Sequence, residues 1–459
     1  MLRGNSGDIT SNGLGLVAGR QGKWFKIMRI QYYCIQASAE LYEIILDSYH
    51  PADRLMSQFF RHHHTLKNQD RAFVAETVYG MLRHRSFLEC AQNFCDNDYP
   101  IRTMVYLYLA YQDKEGKHQL PLEAQEIREV KKALEKAKFF LSSKDPLSRL
   151  SLQYSIPMWV LQKWATFFSM ADMESLCRSL QEPAPLFVRT NTLKITRAEL
   201  KKRFRTAEGW ETQETHFSPV GLLFKNKTHV FKSQLFQKGL FEVQDEGSQL
   251  ISYLTEVRPG QKVLDACAGG GGKTLHLATL MHNKGMIYAS DTSEYRLKEL
   301  KPRTVRAGVS NIRTRFLSGK SLKGIRQLKN MFDVVLVDAP CSGMGTLRRN
   351  PDVTLRLTYA RIRELTMQQS AILSQYSMFV KAGGRFVYST CSLLPEENEE
   401  IIASFLKKHS EFHVEPASAI LQKQGIVLPM PISMKDSYLR LYPHLHGTDG
   451  FFAAVLIKS

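Results

Sequence analysis

From residue 37 onward, apolar side chains return at three- and four-residue intervals: Leu41, Ile44, Ile45 and Tyr49, then Phe73, Val74, Val78, Met81 and Leu82. That spacing lays one apolar stripe along each of several helices. It predicts a helical domain over residues 28–145. Within it, REVKKALEKAK (128–138) sets Glu and Lys at helix-neighbour spacings, as an exposed helical face does. Residues 1–27 are rich in Gly, Ser and Asn without a period. They read as a disordered leader, and Met28 offers an alternative start. Between 150 and 240 the pieces are shorter. PLFVRTNTLKI (185–195) is strand-like and ITRAELKKRF (195–204) helix-like, which predicts a small α+β module.

After Gln244 the rhythm becomes strand, helix, strand. Candidate strands cover 262–266, 286–291, 333–338, 385–390 and 451–458. Such alternation predicts an α/β domain with a mostly parallel sheet, helices on both faces and a ligand at the carboxyl ends of the strands.

Composition narrows the function. The 459 residues contain no apolar run of the roughly 18 residues a membrane helix needs. The amino terminus has no long apolar segment of a secretory signal. Seven scattered cysteines form no disulfide framework, so a reducing cytoplasm is expected. Charge says more: 62 Lys+Arg against 44 Asp+Glu leave +18, and residues 301–350 alone hold 11 basic and 2 acidic side chains. A polyanion is the first partner to consider.

Three motifs carry chemistry. In KVLDACAGGGGKTLHLA (262–278) an apolar strand runs into glycines 269–272 and then a helix. The pattern lets backbone approach a ligand closely. A phosphate-cradling Walker loop would need Gly at 267, where Cys267 stands. Asp291, at the end of the next strand, lies where a carboxylate accepts from ribose hydroxyls, which favours an adenosine-bearing cofactor. In FDVVLVDAPCSGMGTLRRNPD (332–352) a buried strand ends at Asp338 and delivers Cys341. In RFVYSTCSLLPEENEE (385–400) another ends at Thr390 and Cys391. Neither cysteine has a CxxC partner or a histidine at ligand spacing, so no metal is expected.

An adenosine cofactor together with a thiolate points to methylation at C5 of a pyrimidine. That carbon attacks a methyl donor only after a sulfur has added at C6. A carboxylate near N3, which Asp338 is placed to be, would promote the addition. The chemistry does not choose between the two thiols.

Five segments, VQDEGSQL (243–250), VLDACAGGGGKT (263–274), VDAPCSGMGTLRRNPD (337–352), YSTCSLLPEENE (388–399) and DGFFAAVLIK (449–458), resemble the RsmB/Sun-like RNA cytosine-C5 methyltransferases, which use S-adenosylmethionine. Upstream, DRAFVAETVYGMLR (70–83) resembles the NusB-type RNA-binding domain of bacterial members that modify small-subunit ribosomal RNA. The resemblance implies a Rossmann-like class I methyltransferase domain over 241–459, behind a NusB-like helical domain and the small module. It implies that Cys391 attacks C6 and Cys341 assists later steps, with Asp338 between methyl donor and cytosine. It also places Asp265, Cys267, Ala268, Gly269, Gly270, Gly271, Gly272 and Lys273 around the cofactor and Asp291 on its ribose.

Three positions depart from the family pattern. Gly269 and Gly270 replace a small residue and a proline, so the loop loses more entropy on ordering. Gly319 stands where an acid is expected. Arg348, Arg349 and Asn350 after the Cys341 loop, and Arg303, Arg306, Arg313 and Arg315 upstream, are candidate RNA contacts, since guanidinium groups fork onto phosphates and stack on bases. The expected partner is small-subunit ribosomal RNA and the expected state a monomer. A tRNA substrate, or a non-catalytic role in ribosome assembly, are the rival readings.

Overall fold

The computed structural model describes residues 14–18, 24–95, 100–113, 118–226, 228–316, 326–429 and 437–459. Two compact units divide the chain at Cys177, later than the boundary near 145–150 expected from sequence, and the distant segment Asn350–Arg356 counts with the first unit. No helix among the described residues is long and apolar enough to cross a membrane.

The first unit is a bundle including Tyr32–Leu46, Asn68–Arg83, Pro100–Gln112 and Ala124–Ser142. Its core holds Ile35, Leu41, Tyr42, Ile45, Val74, Val78 and Met81. The expected stripe therefore faces inward, with two exceptions. Ile44 is 39% exposed and Tyr49 is 92% exposed, because the helix ends at Leu46 and Tyr49 leaves its periodic face. Leu14–Ala18 pairs antiparallel with Trp24–Arg29, so part of the stretch expected to be a disordered leader is a hairpin. The rest of that leader lies outside the described residues. Asp352, from the downstream segment, accepts from the Ala52 backbone N–H at 3.1 Å and pairs with Arg356. It caps a helix 300 residues earlier.

The second unit opens with a four-stranded antiparallel sheet in the order Thr212–Glu214, Gly221–Phe224, Phe187–Thr190, Phe241–Val243. Helix Arg197–Glu208 buries Leu200 and Phe204 here, where Phe204 meets Trp210, Phe224 and Phe241. The large sheet follows, with strands β1 (Lys262–Asp265), β2 (Met286–Asp291), β3 (Ile312–Phe316), β4 (Phe332–Asp338), β5 (Val380–Thr390), β6 (Phe412–Glu415), β7 (Leu439–Leu441) and β8 (Phe451–Lys458). Their order is β3-β2-β1-β4-β5-β8-β6, with β7 also on β8. The first five run parallel and β8 antiparallel to β5.

Five strands match the expected ones closely. The central strand β4, FDVVLVD, is apolar on both faces because helices cover both sides of a parallel sheet. β3, β6 and β7 were not foreseen: β3 (IRTRF) is an edge strand whose charged, exposed side chains hide the apolar alternation. The order of successive strands reverses between β1 and β4, which stay parallel, and a crevice opens at their carboxyl ends.

Replacing Asp352 with Ala should lower the stability of the full chain by about 1–2 kcal/mol, through the lost helix cap and the unpaired Arg356. Urea melts monitored by circular dichroism measure this. An unchanged midpoint would show that the cap contributes nothing.

Candidate active site

The crevice is a cavity of about 760 Å³, within the range of small-molecule sites. Four strand ends build it. β1 supplies Asp265 and the loop to Lys273, β2 Asp291, β4 Asp338 and Cys341, and β5 Cys391. Helix Tyr359–Ser377 closes one side with Ile372 and Tyr376.

The glycine loop is shaped by two different demands. Gly271 has φ +85°, and a Cβ there would lie 2.1 Å from Leu300 Cδ1, so glycine suits the close approach to helix Glu294–Ala307. Gly269, at φ +53°, would project a Cβ into open space. Its N–H instead donates to Asp291 Oδ2 at 2.8 Å, while Asp291 Oδ1 accepts from Ser293 N–H at 2.7 Å. Cys267, Ala268, Gly270, Gly272 and Lys273 line the cavity with Gly269, whereas Gly271 does not.

Asp265 is buried, and its Oδ2 accepts from Thr274 Oγ1 at 2.7 Å while Oδ1 has no partner. Burial disfavours its charge and lifts its pKa to about 7, against the opposing Thr274 hydrogen bond. Asp338 accepts from Ser389 Oγ at 2.9 Å and pairs with Lys273 Nζ at 2.6 Å. The structure thus brings Lys273 to the carboxylate beside the cysteines, a contact the sequence spacing did not reveal.

The two strand-end thiols meet. Cys341 Sγ lies 3.4 Å from Cys391 Sγ, and both line the cavity. The hydrogen bond to Cys391, then burial, then the nearby charge of Glu397 push the Cys341 thiol well above its usual range. Two sulfur anions at this distance would repel, and Cys341 stays protonated. Burial amid Asp265, Asp338 and Asp291 also raises the Cys267 thiol, which stays protonated.

Four of the six expected RNA-contact arginines have protein partners. Arg348 is 4% exposed and donates to the carbonyls of Gly447 and Thr448 at 3.0 and 3.1 Å. Arg349 bridges Asp245 at 3.0 Å and Asp449 at 2.5 Å. Arg303 and Arg306 share the buried carboxylate of Glu242, and Arg306 also stacks 3.8 Å from the Phe236 ring centroid. Three arginines of the basic segment 301–350 are thus paired with acids distant in sequence. Asn350 is exposed, as are Arg313 and Arg315 on the edge strand β3. Gly319 lies outside the described residues. Arg189, which sequence reasoning passed over, is buried, donates to Gly272 O at 2.8 Å and to Gln244, and so supports the glycine loop from the small module.

The 16S rRNA methyltransferase RsmB/F family pattern matches residues 252–457, and the RsmF/B-like ferredoxin-like domain matches 156–231. The "Probable ribosomal RNA small subunit methyltransferase B" of Bacillus subtilis is 31% identical over 86% of this chain and 92% of its own length. The chain belongs to the RsmB/F methyltransferase family. Another relative of this RsmB/F protein is the "26S rRNA (cytosine-C(5))-methyltransferase nsun-1" of Caenorhabditis elegans, 31% identical over 67% of the chain and 47% of that protein. The solved structure of PH0851 superposes with a TM-score of 0.75 at 26% identity, covering 94% of the RsmB/F chain and all of PH0851.

Because the folded protein holds the Asp265 proton to about pH 7, against 3.8 for an ordinary aspartate, its stability should fall between those pH values as the buried group ionises. Asp265→Asn removes this loss. Relative to wild type, the ligand-free variant should gain up to about 4 kcal/mol between pH 4 and pH 8. Guanidinium melts at both pH values measure the gain, and an equal difference at both would rule out a buried, raised carboxyl.

Proposed function

We propose that this protein transfers a methyl group from S-adenosylmethionine to C5 of a cytosine in small-subunit ribosomal RNA, through a covalent bond between Cys391 and C6. The observation that carries the reading is the pair of thiols 3.4 Å apart, opening into the cavity that also holds Asp265, Asp291 and the Lys273–Asp338 pair.

The cavity suits the cofactor. The unpartnered Asp265 Oδ1 can accept from an ammonium group, Asp291 has lone pairs left for ribose hydroxyls, and no atom occupies the space within 4 Å of where side chains at Gly269 and Gly272 would be. Ile372 and Tyr376 offer an apolar wall for a planar base. When bound, the cofactor supplies an electrophilic methyl group.

The residues then divide the work. Cys341 stays protonated, while Cys391 beside it gives up its thiol proton to solvent as its sulfur forms the bond to C6. Addition places electron density on C5, and the Lys273–Asp338 pair can hydrogen-bond the ring as its charge develops at N3. C5 takes the methyl group and then gives its proton to a solvent water, after which the C6–sulfur bond breaks, Cys391 leaves as the thiolate and the aromatic ring returns. Cys341, in contact with the attacking sulfur, is in place to assist that release. Family membership and the names of the relatives support ribosomal RNA as the substrate.

Cys391→Ala should reduce methyl transfer to RNA from tritiated cofactor by about 10³-fold or more, as loss of a covalent nucleophile does. Transfer near the wild-type rate would refute the assignment. Cys341→Ala should instead accumulate a protein–RNA adduct, seen as a shifted band on a denaturing gel. Absence of that band with methyl transfer retained would exclude Cys341 from release.

A further inference from the structure

Beneath the two cysteine loops lies a carboxylate that the reaction above does not use. Glu397 has no exposed surface, and a buried carboxylate is costly unless its lone pairs are filled. Here they are filled. Oε1 accepts from the Ser342 backbone N–H at 2.8 Å and from Gln369 Nε2 at 3.0 Å, while Oε2 accepts from the hydroxyls of Ser342 and Ser392. Ser342 follows Cys341 and Ser392 follows Cys391. One carboxylate therefore holds the residue after each thiol.

The clamp is anchored on its other sides. Gln369 also donates to Pro340 O at 3.0 Å, gripping the residue before Cys341. Tyr388 OH donates to the Glu397 carbonyl at 2.7 Å. The neighbouring Asn398 accepts from Thr390 Oγ1 at 2.6 Å and donates to Ser392 O at 3.1 Å, which fixes both flanks of Cys391. An amide at 397 would fill this site poorly. Four donors converge on the carboxylate; a glutamine could turn its NH₂ only toward the two hydroxyls, which would have to reverse and accept, and it would lose the charge that strengthens all four bonds.

We propose that Glu397 is a positioning residue that sets the two thiols face to face, by tying the loops after Cys341 and Cys391 to a single carboxylate. Its catalytic meaning rests on the reaction proposed above, but its geometric claim does not. The charge of Glu397 also helps keep the proton on Cys341.

The test uses the full chain without RNA or cofactor and the dithiol reagent phenylarsine oxide, which bridges two thiols only when they are close; peptide mass spectrometry reads capture across Cys341 and Cys391. Wild type should capture the arsenical. Glu397→Gln should slow capture about tenfold or more, and lower kcat for methyl transfer similarly while the RNA KM stays within about twofold. Ser342→Ala and Ser392→Ala, each removing one donor, should give smaller losses in the same direction. They decide the matter if Glu397→Gln does not fold. Capture at the wild-type rate in every folded variant overturns the proposal. A wild-type chain that captures the arsenical, loses capture in the variants, and yet methylates no RNA would uphold the clamp and sink the reaction.

Discussion

Asp338 opposite Ser389 is the last register pair of two parallel strands, and the site begins where that pairing ends. Ala339 N–H still reaches Ser389 O at 2.8 Å, and within a few residues both chains turn out of the sheet carrying a thiol each. Parallel pairing makes both strands end on the same rim, so cysteines 50 residues apart in sequence come into contact. Backbone then locks the rim. Gly345 N–H donates to Cys391 O and Gly450 N–H to Gly345 O, both at 2.8 Å. A Cβ on Gly345 would lie 2.2 Å from Gly450 O, so main chain packs on main chain there and a larger residue would part the loops.

The cavity behind this rim is acidic within a basic protein. Asp265, Asp291 and Asp338 point into it, and Lys273 offsets one of them. An unpartnered buried carboxyl oxygen is destabilising. The same feature suits a ligand that brings hydrogen-bond donors and positive charge. Stability and ligand recognition therefore pull in opposite directions at Asp265, as is common where a site is organised before its ligand arrives.

Charge elsewhere follows the opposite logic. Arg303 and Arg306 on Glu242, and Arg349 on Asp245 and Asp449, join segments of the second unit through buried or half-buried ion pairs. The guanidinium groups of these three arginines are engaged within the protein, so they contribute less to the outward field than their count in the sequence implies. The exposed edge strand β3, with Arg313 and Arg315, keeps its charge toward solvent.

The sequence alone determined whatever depends on local order. Periodicity marks the helices around Leu41 and Val78, unbroken apolar runs mark β1, β4 and β5, and the glycine run and strand-end Asp and Cys residues mark where the chain meets a ligand. Tertiary structure alone decided the pairings across long separations. It put Lys273 on Asp338, 65 residues away, and turned Arg348 to backbone carbonyls and Arg349 to acids about 100 residues distant. It also gathered Ser342, Gln369 and Ser392 around Glu397. The reason is physical: a hydrophobic period is written into neighbouring residues, whereas a charge shows its role only when folding supplies the partner that satisfies it.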